Sequence, residues 1–321
     1  MNMKKFIQQN SRELSVALAI VIMFVIFGSI RPIYLSSDNL KDIVDQSTIY
    51  GLMAIGMTGI IISGGIDLSV GSVLAFICVS IAMLAVRGVN PALCIIAGIC
   101  IGFCAGLLNG FLVSKLKLQP FIATLGTMSA FRGIGYLISG GYPVLSVPDA
   151  YRNIINAELF SGLNVSTILL FVFAFFMYLI MSKMKMGTCV YAIGGNEEAA
   201  KLSGIRVNYN KMMIYGIGMM GTAIAAMIQV GKLGTGDPTT GQGYELNAIA
   251  AVAIGGTSMA GGRGSIVGTV LGTILFAGLR NGLIVSGVET FWQYVATGVV
   301  IIVAAYIEVI QGKFSNSRDK N

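Results

Sequence analysis

Gln46–Val86 reads QSTIYGLMAIGMTGIIISGGIDLSVGSVLAFICVSIAMLAV. Its one charge is Asp67, which follows the glycine pair Gly64-Gly65. A helical membrane span takes about 20 apolar residues at about 1.5 Å each. The run is about twice that length, so it must turn back near the glycines and cross twice. Asp67 then sits at a turn between two spans. There it is expected to cap the following helix by accepting from main-chain N–H groups near Val70.

The rest of the chain extends this reading. Of its 321 residues, 55% are hydrophobic and 11% charged, with a mean hydropathy of +0.81. Soluble domains carry about 25% charged residues, so this chain lacks the charge to cover a water-facing surface. The expected fold class is all-α: one polytopic membrane domain over residues 1–321 with about ten transmembrane helices. The apolar runs are Leu14–Ile30, Thr48–Ser63, Val70–Val86, Ala92–Ser114, Phe121–Ser139, Val165–Met181, Met212–Val230, Leu246–Ala260, Ile266–Leu279 and Phe291–Ile310. The basic start and first apolar run look like a signal peptide, but no small-x-small site follows, so a retained first span is expected.

Loop charges set the orientation. With the N-terminus in the cytoplasm and strict alternation, fourteen of the 21 Lys and Arg fall on the cytoplasmic side and six outside, with Arg132 in a span. The positive-inside bias places both termini in the cytoplasm. Topology therefore accounts for the net charge of +7, and no interleaved aromatics or fold signature point to nucleic acid.

Two glycine ladders recur every four residues: Gly98, Gly102, Gly106, Gly110, and Gly264, Gly268, Gly272. Each puts glycines on one helix face, where a second backbone can approach closely. There is also an internal repeat. GGIDLSVGSVLA from Gly64 aligns with GGRGSIVGTVLG from Gly261, with six identical positions of twelve. Weak internal symmetry with glycine-interrupted apolar segments points to a transporter.

Catalytic signatures are missing. The sequence has no GxxxxGK[ST] phosphate loop, no GxSxG, no HExxH, no CxxC and no histidine. Its five cysteines are Cys78, Cys94, Cys100 and Cys104 in apolar runs and Cys189 in a loop. No catalytic residue, metal site or cofactor of its own is expected.

The longest cytoplasmic loop, residues 183–211, contains YAIGGNEEAAKLSGIRVN, Tyr191–Asn208. Gly194-Gly195 breaks the chain and Asn196 is a good N-cap. Glu197 and Glu198 suit the positive end of a helix dipole, Ala199, Ala200, Lys201 and Leu202 are helix formers, and Ser203-Gly204 stops the helix. Ala199, Leu202 and Ile205 could form a small apolar edge. So short a helix must lean on its own membrane domain or on a partner. It either ties off the loop or docks a cytoplasmic motor.

Four stretches carry a family resemblance: SGGIDLSVGS (Ser63–Ser72), KLQPFIATLGTMSAFRG (Lys117–Gly133), YAIGGNEEAAKLSGI and GYELNAIAAVAIGGTSMAGGRGSIVGTVLG (Gly243–Gly272). In order and together, they resemble the bacterial ABC-transporter permeases of the ribose-type sugar importers. The resemblance implies a pore of two permease subunits, here a homodimer, in the bacterial inner membrane. It implies a cytoplasmic ABC ATPase that carries the ATP and Mg, and a periplasmic sugar-binding protein outside. It also implies that Asn196, Glu197, Glu198, Ala199, Lys201 and Leu202 form the coupling helix that contacts the ATPase. Lipid surrounds the subunit, and nucleic acid has no part.

Polar residues within spans are the pore candidates. Arg132 is the only charge between Lys117 and Asp149; it lines the path, snorkels, or pairs structurally. Asn109, Gln229, Asn247, Asn281 and Thr257 either meet sugar hydroxyls or join helices. Phe121, Tyr136, Phe291 and Trp292 fit a gate or an interfacial belt. In the repeat, Asp67 aligns with Gly264 and Ile66 with Arg263. An Asp67–Arg263 pair at an inner gate is therefore expected where the two turns approach. The loops Gly140–Ser161 and Lys232–Glu245 face outside. The expected function is ATP-driven sugar or polyol import by alternating access; the alternative is an ion-coupled secondary sugar transporter.

Overall fold

The computed structural model describes residues 11–159, 163–289, 291–299, 302, 303 and 306. In chain order the helices are α1 (Ser11–Ile30), α2 (Ser37–Ile62), α3 (Val70–Val86), α4 (Pro91–Ser114), α5 (Pro120–Ser139) and α6 (Asp149–Asn156). There follow α7 (Val165–Lys183), α8 (Lys185–Gly195), α9 (Glu197–Leu202), α10 (Val207–Leu233), α11 (Tyr244–Ile254) and α12 (Ile266–Val285). Residues 291–299 are also helical. A short pairing of Glu158–Leu159 with Leu163–Asn164 is the one sheet among the described residues. Six of the described helices are long and apolar enough to cross a membrane.

The caps explain where these helices begin. The Ser36 hydroxyl accepts from Asn39 N–H ahead of α2, Asn90 from Ala92 N–H ahead of α4, and Ser265 from Gly268 N–H ahead of α12. Pro91 and Pro120 sit in the first turns of α4 and α5, where a missing N–H costs nothing.

The interior is built around α2 and α10, which contribute the most buried residues, with α3 buried beside them. The first glycine ladder faces α3 at Gly98 and α10 at its other three members. A side chain at Gly106 would overlap the Tyr215 carbonyl, one at Gly102 would meet Ala223 and Met219, and one at Gly110 would meet Met212. The second ladder holds α12 on α11 through Gly268 against Gly255 and Gly272 against Ala251. Both ladders are packing seams, as the spacing predicts.

Several segments differ from the sequence reading. The run Thr48–Ser63 is the apolar end of the longer α2. The helix starts earlier, at the Ser36 cap, and in its polar part Asp45 is paired with Lys232 at 2.6 Å and Ser166 at 3.0 Å. The loop Gly140–Ser161 carries helix α6, whose Tyr151 and Ile155 are buried. Phe291–Ile310 lies partly outside the described residues.

The largest difference is at Leu246–Ala260, where the helix covers only Tyr244–Ile254. Eleven residues rise about 16 Å, half the hydrocarbon thickness of about 30 Å. The preceding residues 234–243 run beside α3 without a helix. Gly236 packs on the Cys78 carbonyl and Ala82, and Gly241 packs on Gly71. GTGDPTTGQGYE is thus a re-entrant limb rather than only an outer loop. Buried non-helical backbone at such depth is tolerated only inside protein or along a water-filled cavity. Gly236 and Gly241 permit the contact, because a Cβ at either would collide with main-chain atoms of α3.

Candidate coupling helix and membrane-interior polar cluster

The α9 helix forms where the sequence encodes it. Asn196 is extended at φ −162°, and its Oδ1 accepts from Ala199 N–H at 2.9 Å. Ala200 faces inward with Ile193 and Val207, and Ile205 packs beside them. Leu202 points away and is 88% exposed. Glu198, Ala199 and Lys201 are exposed with it. The inward edge is therefore Ala200 and Ile205, while Ala199 and Leu202 face out.

Glu197 has a different task from its neighbours. Its carboxylate accepts from Lys211 Nζ at 2.5 Å and Lys117 Nζ at 3.1 Å. Lys211 comes from the first turn of α10 and Lys117 from the α4–α5 link, so one acid ties α9 to two parts of the membrane domain. Burial pushes this carboxyl up, but the two lysines outweigh it and hold it below the usual range. A lowered value means the clamp is complete above the ordinary glutamate range and is lost as pH falls through the lowered value. Hydrogen exchange at residues 196–204, corrected for its intrinsic pH dependence, should show protection that fades only below the ordinary glutamate range. In Glu197→Gln that acid step should be missing.

Beneath α9 three glycine turns converge. A side chain at Gly194 would overlap the Ile62 carbonyl at the end of α2 and crowd Gly262 N. Gly262 N–H donates to that same carbonyl at 2.9 Å. A side chain at Gly261 would lie 3.1 Å from Gly64. The two copies of the repeat thus meet at one end of the molecule, backbone to backbone, with the end of α8 set against both.

The charges of the repeat do not meet there. Asp67 is fully buried. Its carboxylate accepts from Ser69 N–H at 2.9 Å, Ser69 Oγ at 2.7 Å and Asn109 Nδ2 at 2.8 Å. Arg263 is exposed, and no ion pair among the described residues involves Asp67. This corrects the expected Asp67–Arg263 gate. After Gly64 the chain extends inward before α3 begins, and the Ile66 carbonyl reaches the Tyr215 hydroxyl at 3.4 Å. Tyr215 lies about 12 Å along α10 from its first residue. The N–H that Asp67 accepts belongs to Ser69, just ahead of α3, so the cap expected near Val70 is an Asx-type turn instead.

Asn109 is accordingly a helix tie, since its amide also donates to Ser69 Oγ at 2.8 Å. Asp67→Ala would leave these donors facing an apolar gap. The expected cost is about 2–3 kcal/mol, read as a lower unfolding midpoint in detergent, with Asp67→Asn intermediate. An unchanged midpoint for Asp67→Ala would refute the tie.

Of the other pore candidates, Asn281 is buried in α12, and Gln229 and Asn247 are half-buried in α10 and α11. Arg132 is half-buried on α5. Its Nη1 donates to the carbonyls of Pro238 at 2.6 Å and Thr240 at 2.7 Å, so it grips the re-entrant limb. Glu245 and Asp237 lie within its electrostatic reach. Glu245 opens α11 with its carboxylate against Gly71. Beside it, Tyr244 packs on Tyr50 with ring centroids 4.9 Å apart. The Tyr50 hydroxyl accepts from Arg280 at 2.6 Å. Glu245, Tyr244, Tyr50 and Arg280 were not anticipated from sequence. One signal was available: Glu245 is the only acid between Asp237 and Glu289.

Comparison with known proteins fits this architecture. Residues 39–305 match the family described as branched-chain amino acid transport system / permease component. The chain is 41% identical over 298 residues to the ribose import permease protein of Bacillus subtilis (strain 168), covering 92% of each. It is 36% identical over 302 residues to the ribose import permease protein of Escherichia coli (strain K12), covering 91% of this chain and 92% of that one. It is 33% identical over 314 residues to the galactose/methyl galactoside import permease protein of the same strain, covering 92% and 93%. No solved structure matches. With a family match over most of its length and relatives similar end to end, the chain belongs to the ribose-type branch of the ABC-importer permeases and is a multi-pass inner-membrane transport subunit.

Proposed function

We propose that this subunit moves a sugar or related small polyol inward by alternating access, driven by ATP hydrolysis on a separate ABC ATPase. The observation that carries this reading is α9. It presents an exposed leucine outward and is pinned to the membrane domain by Glu197, and α8 leads from it to the junction of the two repeat turns. A push on α9 thus reaches α2 and the α11–α12 turn with no soft side chain between. In this reading ATP and Mg belong to the ATPase, and no group of residues that could hold a metal ion occurs among the described residues.

In this reading residues 183–211 form the cytoplasmic face, with about ten spans and both termini on that side, as the positive-inside count favours. The docking surface is Glu198, Ala199, Lys201 and Leu202, with Asn196 shaping the helix and Glu197 seating it. A second copy of the chain completes the pore within the lipid, and a periplasmic sugar-binding protein delivers the substrate. Relatives named for ribose, D-allose and galactose import set the substrate class, and they favour ATP-driven import over ion-coupled transport.

The test is reconstitution of the chain with its ATPase and binding protein in proteoliposomes, scored with radiolabelled D-ribose, D-allose and D-galactose. Uptake of one of them that needs ATP and the binding protein is expected. Uptake by this chain alone on an ion gradient would overturn the reading.

A further inference from the structure

The break between the re-entrant limb and α11 gathers polar side chains that their packing and hydrogen bonds leave partly exposed. Glu245, Tyr244, Tyr50, Arg132 and Arg280 are all only half-buried, although they lie among membrane-spanning helices. Leu246 and Gln242 on the same edge are exposed. A partly exposed acid and guanidinium among spanning helices cannot face lipid without a large penalty, so this edge faces water or another protein chain. Among the described residues, Arg132 hydrogen-bonds only through Nη1, so donors of its five-proton fork remain. No lysine or arginine lies within ion-pair distance of Glu245 among the described residues.

We propose that this edge is a polyol-binding subsite on the translocation path, at which Glu245 accepts from, and Arg132 donates to, hydroxyls of the passing sugar beside Tyr244 and Tyr50. An acceptor-only carboxylate and a donor-only guanidinium match a hydroxyl that offers both functions. Tyrosine rings supply an apolar face for C–H groups and a polar rim. The half-helix gives the site its place: the chain changes from limb to helix at Gly243, with φ +77°, and turns Glu245 back toward α3 and α5. The absence of a side chain at Gly71 lets the Glu245 carboxylate and the Gly241 carbonyl pack directly on α3, which fixes where the carboxylate sits.

The proposal rests on the sugar-import reading, and the experiment separates the two. In proteoliposomes holding the full transporter, parental uptake of D-ribose, D-allose or D-galactose tests import itself; failure with all three removes that reading. With the sugar that the parent carries, E245Q is expected to lower uptake at least about tenfold, equivalent to one lost hydroxyl contact. It should also narrow the preference for that sugar over its monodeoxy analogues, which a purely structural acid would leave intact. Independently, Gln242→Cys should react with a charged, membrane-impermeant methanethiosulfonate during turnover, above the rate of the parent's own cysteines. Saturating sugar should slow that reaction. This second variant keeps Glu245 and reads the site even if E245Q fails to insert. Parental uptake and preference in E245Q, or a Gln242→Cys that stays unreactive while the transporter turns over, would overturn the subsite.

Discussion

Gly194→Ala is expected to cut ATP-driven uptake at least tenfold, about 1.4 kcal/mol or more of lost coupling, with the subunit still inserted. The added methyl would occupy the place of the Ile62 carbonyl and press on Gly262 N. That carbonyl is the acceptor for Gly262 N–H, so the methyl forces apart the end of α2, the α11–α12 turn and the end of α8. Overpacking in a well-filled interior costs about 1–3 kcal/mol even when flexible side chains yield, and here the neighbours are main chain. Relief comes from moving α8 and α9 off the junction. The membrane helices keep their own seams, so membrane abundance should hold.

The adjacent glycine is the control. A Cβ at Gly195 would meet nothing within 4 Å, and Gly195→Ala is expected to transport near the parental rate. If both variants transport normally, the junction does not transmit force. If both fail, the effect belongs to helix α8 in general.

How much of this was legible in the sequence depends on the range of the physics involved. The fold-back at Gly64, the α9 helix and the glycine ladders follow from charge, capping and spacing within a few residues, and each is present. The broken span is different. LNAIAAVAIGGTSMA is apolar enough to read as one crossing, and only the packing of Gly236 and Gly241 on α3 reveals that the limb before it is part of the helix bundle. Arg132 could be read as path-lining or structural. Its grip on Pro238 and Thr240 depends on a partner more than a hundred residues away. The Asp67–Arg263 pairing failed for a geometric reason. The repeat correctly brings the two turns together, but alignment fixes backbone correspondence and not side-chain direction. The inward extension after Gly64 carries Asp67 to Asn109, while Arg263 stays at the surface. Glu245 gives no site signal in the sequence, because its segment has the composition of a loop.

Leu202→Asp is expected to abolish capture of the ATPase by the solubilised permease and reduce uptake to background. Leu202 is 88% exposed at the end of a two-turn helix whose inward face is already filled by Ala200. Its own fold gains nothing from leucine there, so the side chain is available to a partner. Burying it in an apolar groove stabilises a complex by about 2 kcal/mol, the scale of an interface hot spot. Aspartate removes that contribution and adds the cost of desolvating an unpaired charge. It also sits at the negative end of the α9 dipole, but that penalty is below about 1 kcal/mol on an exposed helix. Leu202→Ala lacks both charge effects and should weaken capture by about tenfold. Leu202→Lys suits the dipole but not an apolar groove. If it binds as poorly as the aspartate, the groove decides the outcome; if it binds like the parent, the dipole does. Because Glu197, Lys117 and Lys211 are untouched, α9 should keep its hydrogen-exchange protection in all three variants. Loss of that protection would mean that Leu202 holds the helix itself, and full capture by Leu202→Asp would place the ATPase contact elsewhere.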